Sequence, residues 1–314
     1  MAGSSSASNT TLTHPRLEPA PEFLRRAVRL GRRKGSADHH RHRPRQVTGG
    51  HGLGSGDVTS DLDLAQQLAD VADSITTARF RARDLGVDRK PDRTPVTDAD
   101  LAVEDAVREV LAEHRPGDVV AGEERGGTTG DGRAWVLDPI DGTKNFLRGV
   151  PAWATLIALV DHQRPVVGMI SAPALGKRWW AAAGEGAWCR TGRGEPERIS
   201  VSGVRDTADA YVSTTHLGTW VEHHSRESYL RLIDACWENR AFGDFWHHCL
   251  VAEGVIDIAA EPIVNPWDVA AAQILVEEAG GRFTDLSGVA RYDGGNALST
   301  NGHLHEEALR LLER

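Results

Sequence analysis

Cysteine is scarce: Cys189, Cys236 and Cys249 are the only three in a chain of 314 residues. They are odd in number and unclustered, which argues against a disulfide framework or a zinc site and predicts buried, reduced thiols. Long apolar runs are missing too. No stretch approaches the roughly 20 residues needed to cross a bilayer, and there is no apolar core of a secretory signal. The expected compartment is therefore the cytoplasm, with no membrane partner. No G-x-x-x-x-G-K-[ST] loop occurs, and GLGSG at 52–56 follows no strand pattern, so neither nucleotide fingerprint is present. No Ser–His–Asp order or activated cysteine context stands out, and a covalent protein nucleophile is not expected.

What is there is acidic and unevenly spread. The net charge is -9. Residues 1–56 hold ten Lys/Arg and three Asp/Glu, a balance of +7, which leaves -16 for the other 258 residues. An acidic body lacks the clustered Lys/Arg that phosphate backbones require, so no nucleic-acid partner is expected. It suits a site that gathers carboxylates around cations. The tail is rich in Ser, Gly, Pro, Arg and His and has little apolar periodicity. It can be read as a disordered tail, an organelle transit peptide, a nucleic-acid arm or an upstream mis-called start, and its composition favours disorder. His39, His40 and His42 have no rigid support nearby for a metal.

From Asp61 the pattern turns structural. Leu64, Leu68, Val71, Ala72 and Ile75 recur at helical spacing, with Gly86 as a stop, and a second helix runs from about Asp98 to Glu113 behind Thr97 as N-cap. Short strands follow through about residue 215: VVAGEE, AWVLDPI, WATLIALVD, PVVGMISAP, RWWAAAGEGAWC, RISVS and AYVSTT. Beyond them SRESYLRLIDACWEN and GDFWHHCLVAEG read as helices, VIDIAAE as a strand, DVAAAQILVEEAG as a helix, GRFTDL as a strand, and HLHEEALRLLER closes the chain. The expected class is α/β (α+β layered), with a helix-and-sheet half at 57–215 and an alternating α/β half at 216–314.

The segment WVLDPIDGTKNF at 135–146 carries the most chemistry. An apolar strand delivers Asp138 to its end, and Pro139 is expected to force the chain out of the strand there. Asp141 follows closely enough for two carboxylates and the Ile140 carbonyl to converge. Gly142 and Thr143 open a helix start whose backbone N–H groups can hold a phosphate. Turn chemistry alone explains D-P-x-D-G. It does not explain Glu123 and Glu124 after a strand, Asp100 one turn into a helix, and Asp268 at the head of another. An all-oxygen site for hard cations explains all of them.

GEE at 122–124, WVLDPIDGTKNF at 135–146 and WDVAAAQILVEEAGG at 267–281 resemble the inositol monophosphatase superfamily over about 250 residues. That resemblance implies the alternating αβαβα layers of the sugar phosphatases and a Mg2+-dependent phosphate monoesterase with two to three ions per site. It implies Glu123, Asp138 and the Ile140 carbonyl as ligands of a first metal, and Asp138, Asp141 and Asp268 as ligands of a second. Asp138 would then bridge the pair, with a third, weaker ion near Glu123. Thr143 would orient the attacking water and Asp100 would polarise Thr143. Asp98 is an alternative, but the spacing to Glu104 favours Asp100. Two divalent ions can neutralise a phosphate dianion, generate the nucleophile and clamp the leaving oxygen.

Within the superfamily, NFLRGVPAWATLIAL, SAPALGKRWWAA and FGDFWHHCLVAEGVIDIAAEP are most similar to the actinobacterial histidinol-phosphatases, which implies L-histidinol phosphate as substrate. Alternatives are inositol phosphate, fructose bisphosphate, a nucleoside 3′-phosphate, or a regulatory, nucleic-acid-associated member supported only by the basic tail. A homodimer is implied by the same resemblance. An ammonium and an imidazole call for acceptors and anions. Asp244 and Glu261 are the candidates, although either can pair with Arg240 or Lys177, and Asp244 can equally be a helix N-cap. Trp246 is read as core before pocket, and Arg148 as either a phosphate contact or a solvated side chain. His247 and His248 point about 100° apart on a helix, so at most one is expected to serve any one site.

Overall fold

The computed structural model describes residues 60–91 and 94–314; the expectations placed on residues 1–56 lie outside them. Helices α1 (Asp61–Arg79) and α2 (Asp98–His114) flank a short hairpin of β1 (Val87–Arg89) and β2 (Pro95–Thr97). Ser60 caps α1 by accepting from the Asp63 N–H. Thr97 caps α2 in a reciprocal box with Asp100, the arrangement that satisfies the free N–H groups of a first helical turn.

Seven strands form the first sheet: β3 (Val119–Gly122), β4 (Ala134–Asp141), β5 (Ala154–Asp161), β6 (Arg164–Ala172), β7 (Lys177–Ala182), β8 (Gly186–Thr191) and β9 (Glu197–Ile199), in that spatial order. The expected strand RWWAAAGEGAWC is two strands, because Gly184 and Gly186 take positive φ and turn the chain into a hairpin. The short helix α3 (Thr143–Arg148) leaves the end of β4. The second sheet has five strands in the order β11-β10-β12-β14-β13: β10 (Tyr211–Thr214), β11 (Glu238–Arg240), β12 (Ile258–Glu261), β13 (Arg282–Thr284) and β14 (Ala297–Thr300). Strand β10 thus sits in the second sheet. Helices α4 (Leu217–His223), α5 (Arg226–Ala235), α6 (Asp244–Ala252), α7 (Pro266–Glu278) and α8 (His305–Leu312) complete the described chain. Helix α5 ends at Ala235, four residues before the expected end at Asn239, since Glu238 and Asn239 pair with β10.

Side-chain alternation along the strands sorts the layers. Trp135, Leu137, Ile157 and Leu159 face Leu64, Leu68, Val107 and Leu111 of α1 and α2. Their neighbours Val136, Leu156 and Ala158 face the opposite way, onto α6 and α7 through Phe245, Ala271 and Leu275. In β12, Ala259 joins that middle core, whereas Ile258 and Ala260 pack with Trp220, Leu232 and Leu311 of α4, α5 and α8. The order of layers is αβαβα, as expected. Each fully buried Leu or Ile contributes about 1.5–3 kcal/mol. Helix α7 is apolar on nearly all sides because a sheet covers each face.

Contact between α7 and β6 is close enough to demand glycine. A Cβ at Gly168 would lie 2.6 Å from Ile274 Cγ2 and 2.7 Å from the Ala271 carbonyl oxygen. Gly168→Ala is therefore expected to cost about 1–3 kcal/mol, read as a melting temperature lower by roughly 2–4 °C per kcal/mol. An unchanged melting temperature would show that α7 can shift. Among the cysteines, Cys189 and Cys249 are buried and Cys236 is half-buried, all unpaired.

Candidate active site

Strand β4 continues through Pro139 to Asp141, so proline does not end it as the sequence suggested. Instead the pairing with β5 slips between Asp138 and Asp141. Pro139 has no N–H to donate, and the Ile140 N–H turns to Asp138 Oδ1 at 3.0 Å. Thr155 Oγ1 donates to the Pro139 carbonyl at 2.7 Å and holds the irregularity. In a regular strand, residues three apart point to opposite faces. The slip instead brings Asp138 and Asp141 together with Asp268, and their carboxylate oxygens lie within 4.8 Å of one another.

Asp268 is the third residue of α7, behind Asn265 as cap and Pro266 at the first position. Its Oδ2 accepts from the Asn265 N–H at 2.7 Å and from Asn265 Nδ2 at 3.3 Å. Capping and site geometry thus use the same carboxylate. Asp141 Oδ2 accepts from the Phe245 N–H at 2.5 Å, which ties the start of α6 to the end of β4.

These groups line a cleft of about 330 Å³ with Glu123, Ile140, Gly142, Thr143, Lys144, Thr215, His216, Thr219, Asp244, Glu261 and Ile263. Burial pushes the Asp138 carboxyl well up, and the negative charges of Glu123, Asp141 and Asp268 push it further. Burial also raises Asp141, followed by Asp244 and Asp268. Asp268 is raised by burial, against the Asn265 N–H that opposes it. Asp138 and Asp141 are buried and Asp268 partly so, and among the described residues none of them pairs with a Lys or Arg, an arrangement that is costly unless the groups are protonated or bound to a cation. The all-oxygen donor set, including the Ile140 carbonyl, fits a hard divalent ion.

Glu123 lines the same cleft but stands outside the cluster of three. Its Oε1 is 2.6 Å from Lys90 Nζ, which also reaches Glu124 Oε1 at 2.7 Å. Lys90 was not among the expected site residues, and nothing in its local sequence marks it. Glu104 was noted only for its spacing, yet it is fully buried and accepts the Glu124 and Arg125 N–H groups at 2.8 and 3.0 Å. It holds the chain where β3 turns into the cleft.

Asp98 is engaged elsewhere, 2.6 Å from Arg79. Asp100 is buried, its Oδ2 accepting from the Thr97 N–H at 2.8 Å and Thr97 Oγ1 at 2.6 Å, while Oδ1 has no partner. Burial, then Glu124 and Glu123, lifts its carboxyl to about 7. The implied link from Asp100 to Thr143 is not made: Thr143 Oγ1 donates to the Ile140 carbonyl at 3.0 Å. The capping box competes for the same carboxylate.

On the far wall Asp244 is the first residue of α6, not its cap. Gly243 holds the cap position and no side-chain cap bond forms. Asp244 adopts φ 49, a left-handed conformation that is costly without glycine, and Asn145 Nδ2 donates to its Oδ2 at 3.3 Å. Burial, then Glu261, raises its carboxyl. Neither expected cation pairs here: Arg240 sits on Glu238 at 2.5 Å and Lys177 on Glu253 at 2.7 Å. Trp246 is half-buried against Phe242 and off the cleft, and Arg148 is exposed away from it. His247 and His248, expected to diverge, both reach Glu261 Oε1, at 2.7 and 3.1 Å. Successive helical residues do differ by about 100° at Cβ, but one carboxylate oxygen lying between the two directions accepts from both.

Comparison with known proteins gives consistent results. The profile of the inositol monophosphatase family matches residues 57–314. A histidinol-phosphatase of Mycobacterium tuberculosis is 56% identical over 253 residues, covering 80% of this chain and 97% of that protein. The histidinol-phosphatase of Streptomyces coelicolor is 48% identical over 262 residues, covering 82% and 98%. Among solved structures, an inositol monophosphatase from Zymomonas mobilis superimposes with a TM-score of 0.71 at 33% identity, covering 81% of this chain and 98% of that one.

Proposed function

The chain belongs to the inositol monophosphatase family and is a phosphatase, and from that premise we propose that it hydrolyses L-histidinol phosphate to L-histidinol and inorganic phosphate. The observation that carries the choice of alcohol is the far wall. Asp244 and Glu261 face the cleft, and among the described residues no Lys or Arg pairs with either, an environment that favours an ammonium or imidazolium over a neutral polyol. The names of the two relatives above support the same reading.

Glu123, Asp138, the Ile140 carbonyl, Asp141 and Asp268 would hold two Mg2+ ions, with Asp138 shared and a third ion near Glu123. Such ions supply charge neutralisation for the phosphate dianion and Lewis acidity toward the leaving oxygen. The backbone N–H groups of Gly142 and Thr143, at the head of α3, would donate to phosphate oxygens. Thr143 gives its proton to the Ile140 carbonyl, so its oxygen lone pairs remain to orient the attacking water. Asp100 keeps one buried oxygen without a partner among the described residues, and engaging Thr143 would require Thr143 to leave the Ile140 carbonyl first. A cytoplasmic homodimer belongs to the same proposal and rests on the family resemblance.

Phosphate release with Mg2+ should be measured across L-histidinol phosphate, inositol 1-phosphate, fructose 1,6-bisphosphate and a nucleoside 3′-phosphate. The amino-alcohol ester is expected to lead in kcat/KM by about tenfold or more, the worth of one charge-assisted contact. A tenfold lead for inositol 1-phosphate would favour the family's polyol chemistry instead.

A further inference from the structure

Behind the cleft wall lies a buried cluster that the hydrolytic machinery does not use. His247 and His248, adjacent on α6 and both fully buried, converge on Glu261. Their remaining nitrogens are held as well. His247 Nδ1 lies 3.2 Å from Ser213 Oγ, and His248 Nδ1 lies 2.8 Å from Ser299 Oγ. Ser213 Oγ also accepts from the Phe242 N–H at 3.2 Å. An ionised carboxylate only accepts, so the hydrogen facing Glu261 sits on Nε2 of each ring. The two serines hold the Nδ1 atoms and with them the ring orientations.

The consequence falls on Glu261. Oε1 takes both N–H bonds, and among the described residues Oε2 makes no hydrogen bond, although the side chain is only 10% exposed and lines the cleft. We propose that His247 and His248 are positioning residues: they fix the Glu261 carboxylate with one oxygen turned to the cleft, to receive the cationic group of the alcohol being released. The proposal rests on the amino-alcohol reading above.

The choice of partner has a physical reason. A lysine or arginine in place of the histidines would orient Glu261 equally well, but would cancel the charge that attracts an ammonium. Imidazole N–H groups orient it from side chains that carry no permanent charge. Burial, then the neighbouring His247, holds the His248 imidazole down to about 4, so it is a neutral donor at pH 7. Burial alone would raise Glu261, yet the two imidazoles beside it hold its carboxyl down to about 2.

The test uses the full chain with Mg2+ and two esters, L-histidinol phosphate and glycerol 2-phosphate. Variants H247L and H248L remove the donors, and H247Q and H248Q put an amide N–H where Nε2–H was. In the leucine variants KM for histidinol phosphate is expected to rise about tenfold or more with kcat within about threefold, while kcat/KM for glycerol 2-phosphate stays within about threefold. The glutamine variants should recover most of the KM. Thermal melts identify variants that fail to fold. If the leucine pair does not fold, S213A and S299A, which release the rings, should raise the same KM by about threefold. Folded leucine variants with an unchanged ratio of the two esters overturn the proposal. Equal losses on both esters, or no recovery with glutamine, do the same. A transition metal held stoichiometrically by the wild type and lost in the variants also overturns it, since the Nε2 atoms would then be ligands and not donors. A wild type that prefers the neutral ester refutes the substrate reading by itself. The variants are then read on the preferred ester: unchanged KM overturns the positioning role as well, and a raised KM retains it.

Discussion

Asp138→Asn is expected to lower kcat/KM by about 10³-fold or more, equivalent to about 4 kcal/mol of transition-state stabilisation. Asparagine has nearly the same shape, and its side-chain oxygen can still accept the Ile140 N–H that Asp138 Oδ1 accepts at 3.0 Å. The slip in β4 should therefore survive, and only a charge is lost. On the proposed assignment that charge serves two cations at once. The same substitution is expected to raise the melting temperature of the metal-free protein, because burial and the facing Glu123, Asp141 and Asp268 all oppose ionisation of Asp138. Activity and stability would then move in opposite directions. Near-normal turnover in a folded D138N protein would refute the shared-ligand assignment, and a fall in melting temperature would show that Asp138 is retained for structure.

Withdrawal of divalent cations should have an effect of similar size. Chelator is expected to abolish hydrolysis, and excess Mg2+ to restore it. At a concentration about 100 times its Kd, a ligand of the folded state adds about 2.7 kcal/mol, or a rise of roughly 5–10 °C for a domain of this size. The response should depend on pH. Without cations, Asp138, Asp141, Asp268 and Asp100 all hold protons more tightly folded than unfolded. For such a carboxyl the folded state binds more protons above about pH 4, so stability falls as pH rises, through about 7 in the case of Asp100. Cations relieve the repulsion in the cluster, so the gain in melting temperature on adding Mg2+ should be larger at pH 8 than at pH 5. No gain at pH 8 would separate the carboxylate cluster from metal binding.

Much of the fold could be read from residue patterns because its signals are local. Apolar residues at helical spacing marked α1, Thr97 with Asp100 marked the start of α2, and alternating apolar runs marked β5 and β6. The places that misled are those where a distant element competes. Pro139 reads as a strand end, but β5 supplies Thr155 to hold the carbonyl and the strand runs on. Asp244 reads as a cap, but its N–H neighbour Phe245 is bound to Asp141 across the cleft, so Gly243 takes the cap position and Asp244 turns inward.

The sequence by itself determined the kind of chemistry, that of a phosphatase family with carboxylates at strand ends and helix starts and in WVLDPIDGTKNF. Residue type and short spacing suffice for that, because ligand charge and backbone breaks are local properties. Tertiary structure alone decided which groups meet. A slip in β4 puts Asp138 and Asp141 on one side with Asp268, a capping box diverts Asp100 from Thr143, and Lys90 takes hold of Glu123. It also decided that two histidines pointing apart on one helix share one oxygen of Glu261. Helical geometry fixes the directions in which side chains leave the backbone, but the acceptor lying between them belongs to a strand of the neighbouring sheet, and only packing places it there.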